Sequence, residues 1–293
     1  MIIVRIYEGL GNQLFQYAYA RAISLSTNQK VFLDARETGS RACEKRYTPR
    51  KYYLSNYRIV LPICTNVLHF YPYINGTDQI LEIMQNLSVH GCLPYKFFKE
   101  DRPDYNETLV DLKGNWYLQG WFQDSRYFQK YESIIKKEIA PKNRIKIRYD
   151  LKNILKMRNT VSVHIRRGDY KKVSNAVLPI NYYNNAMEYM RNNIDLPYWV
   201  VFSDDINWVK ENMDFGTRCY FLDKKDHLQD YEEMMVMSCC KNHIIANSTF
   251  SWWGAWLGRN KNKIVIGPDR WILNRVFDYD ENILPEDWVR LHV

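Results

Sequence analysis

The sequence predicts an α/β chain with parallel sheets, divided into two domains. Three observations carry this expectation. From Val161 onward, short apolar runs alternate with helix-period segments, the pattern of a parallel sheet covered by helices. The chain opens with a strand-like run, a glycine-bearing turn and a helix-period segment. Its 293 residues, 46% hydrophobic, suffice for two modest domains and a sizeable core. The basic segment Lys142 to Arg148 reads as an interdomain linker, so the expected domains are residues 1–150 and 151–293.

Taken in order, Ile2 to Ile6 reads as a buried first strand and Tyr7 to Gly11 as a tight turn. Asn12 is positioned to cap the helix in which Leu14, Ala18, Ala22 and Leu25 recur at near-helical spacing. Such a unit either presents N–H groups to an anion or simply turns the chain. Val31 to Asp34 is a second strand. Ala35 to Asp111 is expected to be irregular, with Arg36, Arg41, Lys45, Arg46, Arg50 and Lys51 gathered near its start. These basic residues read as a solvated surface, with an acidic acceptor or a membrane surface as the sharper alternative. Asn115 to Trp121 is strand-like, and Asp124 or Ser125 is expected to start a helix through Ile139, ended by Pro141. A short helix follows near Leu151 to Met157. The second half predicts strands Val161–Arg166, Tyr198–Ser203, Cys219–Leu222, His243–Ala246 and Lys263–Ile266. Its helices are expected at Asn181–Asn193, Ile206–Met213, Asp230–Cys240 and Thr249–Leu257.

The net charge of +8 suggests an anionic partner, but scattered basic residues argue against a nucleic-acid arm. Six cysteines without C-x-x-C spacing fit reduced thiols in a cytosolic compartment. Strand-like sequence from Ile2 leaves no room for a signal peptide, and no apolar run is long enough to span a bilayer. The expected location is cytoplasmic, with peripheral membrane contact left open.

The stretch V-S-V-H-I-R-R-G-D-Y, Val161 to Tyr170, concentrates chemistry. Its alternation is that of a strand, broken at Gly168 and Asp169. Arg166 and Arg167 thus arrive at the strand end, where open α/β sheets bind ligands, and two guanidinium forks suit a diphosphate. Solvated terminal arginines are the plainer alternative. Asp204 and Asp205 end an apolar strand, where a carboxylate accepts from ribose hydroxyls or from the N–H edge of guanine, or else caps the next helix. Asn247, Ser248, Thr249 and Ser251 begin a helix directly after a strand, the setting of a phosphate site. Trp252, Trp253 and Trp256 are a sugar platform or, for at least two of them, core. Asp278-Tyr279-Asp280 has the D-x-D form of some metal-bound sugar-nucleotide sites, but a solvated loop is preferred. No His/Cys/Asp cluster has metal-ligand spacing, and no metal is expected.

H-I-R-R-G-D-Y resembles the H-x-R-R-G-D-Y signature of the α-1,2-fucosyltransferases, an inverting, GDP-fucose-dependent family of the glycosyltransferase family 11 type. Gly9 to Arg21, G-L-G-N-Q-L-F-Q-Y-A-Y-A-R, resembles their N-terminal glycine loop and helix, and Asn247 to Leu257, N-S-T-F-S-W-W-G-A-W-L, their C-terminal block. The resemblance implies a GT-B-like fold, two Rossmann-like domains with a cleft between them, the first on the acceptor side and the second binding GDP-fucose. It implies transfer of fucose to the 2-OH of a galactose-terminated acceptor, with GDP-fucose as co-substrate and no cofactor. Arg166 is then the chief diphosphate clamp, assisted or braced by Arg167. Asp204, favoured over Asp205, reads guanine, and Asn247, Ser248, Thr249, Gly11 and Asn12 make further donor contacts. His164 orients the loop, binds the donor, or is an ordinary strand histidine. Asp169 is a candidate general base or a partner for Arg167; the loop around Glu8 is the next place for a base. Another GDP-sugar transferase and a non-enzymatic glycan-binding protein are the rival readings.

Overall fold

A computed structural model describes residues 1–35, 51–64, 95–101, 104–172, 176–273 and 283–293. The basic cluster from Arg36 to Arg50 and the triplet Asp278-Tyr279-Asp280 lie outside the described residues. The chain forms two compact α/β units, Met1–Asn143 and Arg144–Val293, each around a parallel sheet, as the GT-B class requires. The division falls inside the segment Lys142 to Arg148.

In the first unit, β1 (Ile2–Arg5), β2 (Val31–Asp34), β3 (Lys96–Lys99) and β4 (Trp116–Gln119) lie in the order β2-β1-β4-β3, all parallel. Helix α1 (Leu10–Thr27) covers this sheet and buries most of its residues, from Leu10 to Ile23. It starts earlier than the sequence suggested. Gly9 is its N-cap, in extended conformation, so Asn12 lies within the first turn and caps nothing. Asn28, at φ 53°, closes it in the left-handed conformation that asparagine tolerates. Tyr17 Oη donates to Glu138 Oε2 at 2.5 Å and Arg21 Nε lies 2.9 Å from Glu138 Oε1, tying α1 to α2 (Glu132–Glu138).

The single helix expected from Asp124 or Ser125 is broken. Two 3₁₀ turns, Ser125–Tyr127 and Gln129–Tyr131, precede α2, and the Asp124 carboxylate caps the first by accepting from the Arg126 N–H at 2.8 Å. Strand β3 appears within the segment expected to be irregular. Its K-F-F-K sequence is short and carries a lysine at each end, as edge strands do, so its periodicity is weak.

The second unit opens with α3 (Tyr149–Ile154) and contains β5 (Thr160–Ile165), α4 (Ile180–Asn193), β6 (Tyr198–Ser203), α5 (Ile206–Asn212), β7 (Cys219–Phe221), α6 (Asp230–Met237), β8 (Asn242–Ile244), α7 (Thr249–Trp256), β9 (Val265–Pro268) and β10 (Val289–Leu291). The parallel sheet runs β10-β9-β8-β5-β6-β7. Both faces are covered. Val161, Val163 and Ile165 pack with Ala186, Met187 and Val209, while Val200 and Phe202 pack with Leu151, Val236 and Met237. The expected elements of this half are present within a few residues of their bounds. Strand β10 was not foreseen; V-R-L lies beyond the alternating segments and carries a charged residue at its centre. Among the described residues no helix is long and apolar enough to cross a membrane, and Cys219, Cys239 and Cys240 are free.

Glu100, just past β3, is buried, and its Oε2 accepts the backbone N–H groups of Trp121 at 2.5 Å and Phe122 at 3.1 Å. Burial pushes its carboxyl up to about 7, from an ordinary value of 4.5. Between these values the folded chain holds a proton that the unfolded chain has lost. Glu100 therefore contributes less stability as pH rises through that window. Glutamine keeps the carbonyl acceptor and cannot ionise. The Tm of the wild type minus that of Glu100→Gln should fall from pH 4.5 to 7 and level off above; a difference constant across the range would show that Glu100 titrates normally.

Candidate active site

The second sheet reverses its strand order between β5 and β8: β6 follows on one side and β8 lies on the other. Open α/β sheets bind ligands outside the carboxyl ends of the strands at such a point. Arg166 leaves β5 there, and Asn247 and Ser248 follow β8.

Strands β5 and β6 are in register with Ile165 opposite Ser203, so the residues just past the two ends adjoin. Arg166 Nη1 lies 2.9 Å from Asp204 Oδ2, and Arg166 Nη2 2.7 Å from Asp169 Oδ1. The other Asp204 oxygen accepts the Arg167 backbone N–H at 2.9 Å. The carboxylate placed on Arg167 is that of Asp205, 3.3 Å from Nε, rather than the Asp169 considered from sequence. The Arg167 guanidinium lies on the Trp208 ring, 3.2 Å from its centre. Lys171 also donates to Asp205, and this contact, followed by that of Arg167, holds the Asp205 carboxyl below the usual range.

Asp205 is the N-cap of α5 by position, but its side chain makes no capping bond. Neither aspartate therefore serves as the helix cap considered from sequence; both are spent on the arginines. Gly168 is required by the same packing. A Cβ there would sit 2.7 Å from Asp204 Oδ2.

Among the described residues Arg166, Arg167 and Lys171 pair with Asp169, Asp204 and Asp205. A guanidinium carries five N–H donors, so the two Arg166 ion pairs leave donors over. Its side chain is 26% exposed.

His164 is buried, and burial, with Arg166 second, pushes its imidazole down to about 3, so the ring is neutral at physiological pH. It packs on Phe250, with centroids 5.5 Å apart, and its Nδ1 has no partner among the described residues. Asn247 donates from Nδ2 to the carbonyls of Ala176 and Trp271 at 3.0 and 3.2 Å, while its buried Oδ1 has no partner there. Tyr170 ties the two strand exits together. Its hydroxyl donates to the Asn247 carbonyl at 2.9 Å, and its ring centre lies 5.6 Å from the Arg166 guanidinium.

Ser248 is the N-cap of α7; neither a side chain nor an acid in the first turn closes that end, and Thr249 follows as its first residue. At the other end, Lys263 Nζ donates to the carbonyls of Ala255, Trp256 and Gly258 at 2.7, 3.3 and 3.0 Å. Trp252, Trp253 and Trp256 are core rather than platform: all three are buried, and the Trp252 indole donates to the Ile283 carbonyl at 2.7 Å.

The structure thus brings His164, Arg166, Arg167, Asp169, Asp204, Asn247, Ser248 and Thr249 to one region of the second unit. Gly11 and Asn12 belong to the first. Gly11 is buried in the first turn of α1, and the Asn12 amide is engaged at both ends, by Glu8 Oε2 and by Gln123 Nε2. Sequence reasoning missed Gly168, Tyr170 and Lys171 as supports. The R-G-D-Y-K continuation held that signal. Trp208 carried none.

Residues 1–292 match the family described as Glycosyl transferase family 11. The O-antigen biosynthesis glycosyltransferase WbnK of Escherichia coli is 30% identical, over 97% of this chain and 98% of that protein. An alpha-1,2-colitosyltransferase, also of Escherichia coli, is 30% identical over 99% of both. Galactoside alpha-(1,2)-fucosyltransferase 1 of Homo sapiens is 28% identical, over 46% of this chain and 39% of that protein. With nearly the whole chain matched, and with charged and hydroxyl side chains gathered at the switch point of the second sheet, this protein belongs to glycosyl transferase family 11 and is a glycosyltransferase.

Proposed function

We propose that the enzyme transfers L-fucose from GDP-β-L-fucose to the 2-hydroxyl of a terminal β-galactoside, forming an α-1,2 linkage with inversion. The observation that carries this reading is Arg166, held between Asp204 and Asp169 at the switch point, beside the helix N-terminus at Ser248. The names of the relatives support the rest: one transfers fucose to galactosides, and two form α-1,2 linkages.

A β donor and an α product require attack from the face opposite GDP. The acceptor oxygen bonds the anomeric carbon as the C–O bond to GDP breaks, negative charge grows on the departing diphosphate, and the acceptor proton passes to water or to a base other than Asp169. Arg166 supplies oriented donors to that charge, and two guanidinium groups do work that a metal does in other transferases. Ser248, Thr249 and the first N–H groups of α7 take the remaining phosphate oxygens. His164 Nδ1 and Asn247 Oδ1 gain partners from the donor. Asp204 reads the guanine edge with lone pairs beyond those used by Arg166 and Arg167.

The colitosyltransferase relative favours one second reading, GDP-colitose as donor. Colitose is fucose without its 3-hydroxyl, so phosphate contacts do not separate the two. Incubation with GDP-fucose, GDP-colitose and UDP-sugars over a panel of galactosides, with linkage read by NMR, decides between them. Turnover should be confined to a GDP-sugar and should persist in EDTA. Equal affinity for UDP, or loss in EDTA restored by magnesium, would overturn the donor assignment.

Arg166→Lys keeps the charge, but a single ammonium cannot reproduce the fork that spans Asp204 and Asp169. Turnover should fall by about 100-fold or more, as loss of one preorganised donor does. Near-full turnover in a folded variant would show that the clamp lies elsewhere.

Asp169 is assigned here to Arg166 rather than to the acceptor proton, because protonation would dissolve its ion pair. Asp169→Asn should weaken GDP binding and leave the acidic limb of the pH–rate profile in place. Unchanged GDP binding with the acidic limb abolished would make Asp169 the base.

A further inference from the structure

The first sheet has a switch point of its own, between β1 and β4 in the order β2-β1-β4-β3. The exit of β1 carries Tyr7 and Glu8; that of β4 carries Trp121 and Gln123. A hydrogen-bonded circuit joins these exits. Glu8 Oε2 accepts from the Trp121 indole Nε1 at 3.0 Å and from the Asn12 amide. Asn12 Oδ1 accepts from Gln123 Nε2 at 2.9 Å. Glu8 takes φ 65°, a left-handed conformation that is costly outside glycine and concentrates at functional sites.

Trp121 is fixed at both ends. Glu100 holds its backbone N–H at 2.5 Å, Glu8 holds its indole N–H, and the Tyr7 ring lies against it at 6.3 Å. Yet this tryptophan is only half-buried, while Phe122 beside it is wholly buried. A ring held so firmly at a sheet's ligand edge, without being committed to the core, offers a flat apolar face. A pyranose presents a matching face of C–H groups, and its hydroxyls suit the flanking carboxylate and amides. The carboxylate beside the ring disfavours an anionic ligand. Glu100 Oε1, buried beneath the same turn, has no partner among the described residues.

We infer that the Trp121 face, with Glu8 and Gln123 beside it, is the subsite for the neutral terminal sugar of the acceptor. This rests on the transferase reading above and adds the residues that recognise the acceptor. Lactose, a simple β-galactoside, is the probe, titrated by calorimetry into protein saturated with GDP. Trp121→Ala should weaken lactose binding by at least about tenfold, since stacking area and an indole donor support are lost together. Trp121→Phe, which keeps a ring, should lose less, and Gln123→Ala should lose several-fold. GDP affinity should stay within about twofold of wild type in each.

Thermal melts identify any variant that fails to fold; if Trp121→Ala does, Trp121→Phe and Gln123→Ala decide. Unchanged lactose affinity in the folded variants overturns this inference alone and leaves the transferase reading intact. Wild type that binds GDP but neither binds lactose nor fucosylates it overturns the acceptor class as well. Loss of GDP and lactose affinity together would mean that the Trp121 turn is a structural support, and would likewise overturn the subsite.

Discussion

Two adjacent arginines at the end of a buried strand each need an opposite charge within reach, and the second unit is arranged around that need. The parallel register of β5 and β6 sets Ile165 beside Ser203, so the chain delivers Arg166 and Arg167 where it also delivers Asp204 and Asp205. A slip of one residue would exchange the faces and break each of these pairs. Because the groups are only partly buried, the pairs contribute modestly to stability. Their larger effect is geometric, since they restrict two long side chains to a narrow set of rotamers. Gly168 belongs to the same arrangement, because the close approach of Asp204 leaves no space for a side chain there.

The two units use related topologies. In each, the strand order reverses beside a central strand, and the residues past that strand and its neighbour carry the polar chemistry. Their contents differ. The second unit gathers guanidinium groups, carboxylates and an uncapped helix end. The first gathers a carboxylate, amides and an aromatic ring, a set suited to uncharged hydroxyls. The two halves thus present different polar groups on elements of the same kind.

Much of this was legible in the sequence. The elements from Val161 to Leu257 follow from the regular alternation of short apolar runs with helix-period segments between polar turns. The chemistry of Val161–Tyr170 and Asn247–Leu257 was visible as residue types at strand ends. Pairing was not. That Arg167 meets Asp205 depends on strand order and register, which no local window contains, and that Asp169, three residues on, turns to Arg166 depends on the conformation of the loop between them. Asn12 resembled a cap because asparagine favours that position, but extended Gly9 starts the helix earlier. Strands β3 and β10 are edge pieces of four and three residues that lie outside the run of alternating apolar and helix-period segments. Trp121 was hidden for another reason: as the last residue of a strand-like run it could not be told from a core aromatic.

One further consequence follows from Lys263. A helix ordinarily acts on its surroundings as a dipole, with about half a charge of opposite sign at each end. Lys263 donates to the carbonyls of Ala255, Trp256 and Gly258, groups that carry the negative pole of α7. With that pole met by a donor of the chain itself, the helix is asymmetric: its last carbonyls are taken up internally, while no side chain caps the N–H groups that follow Ser248.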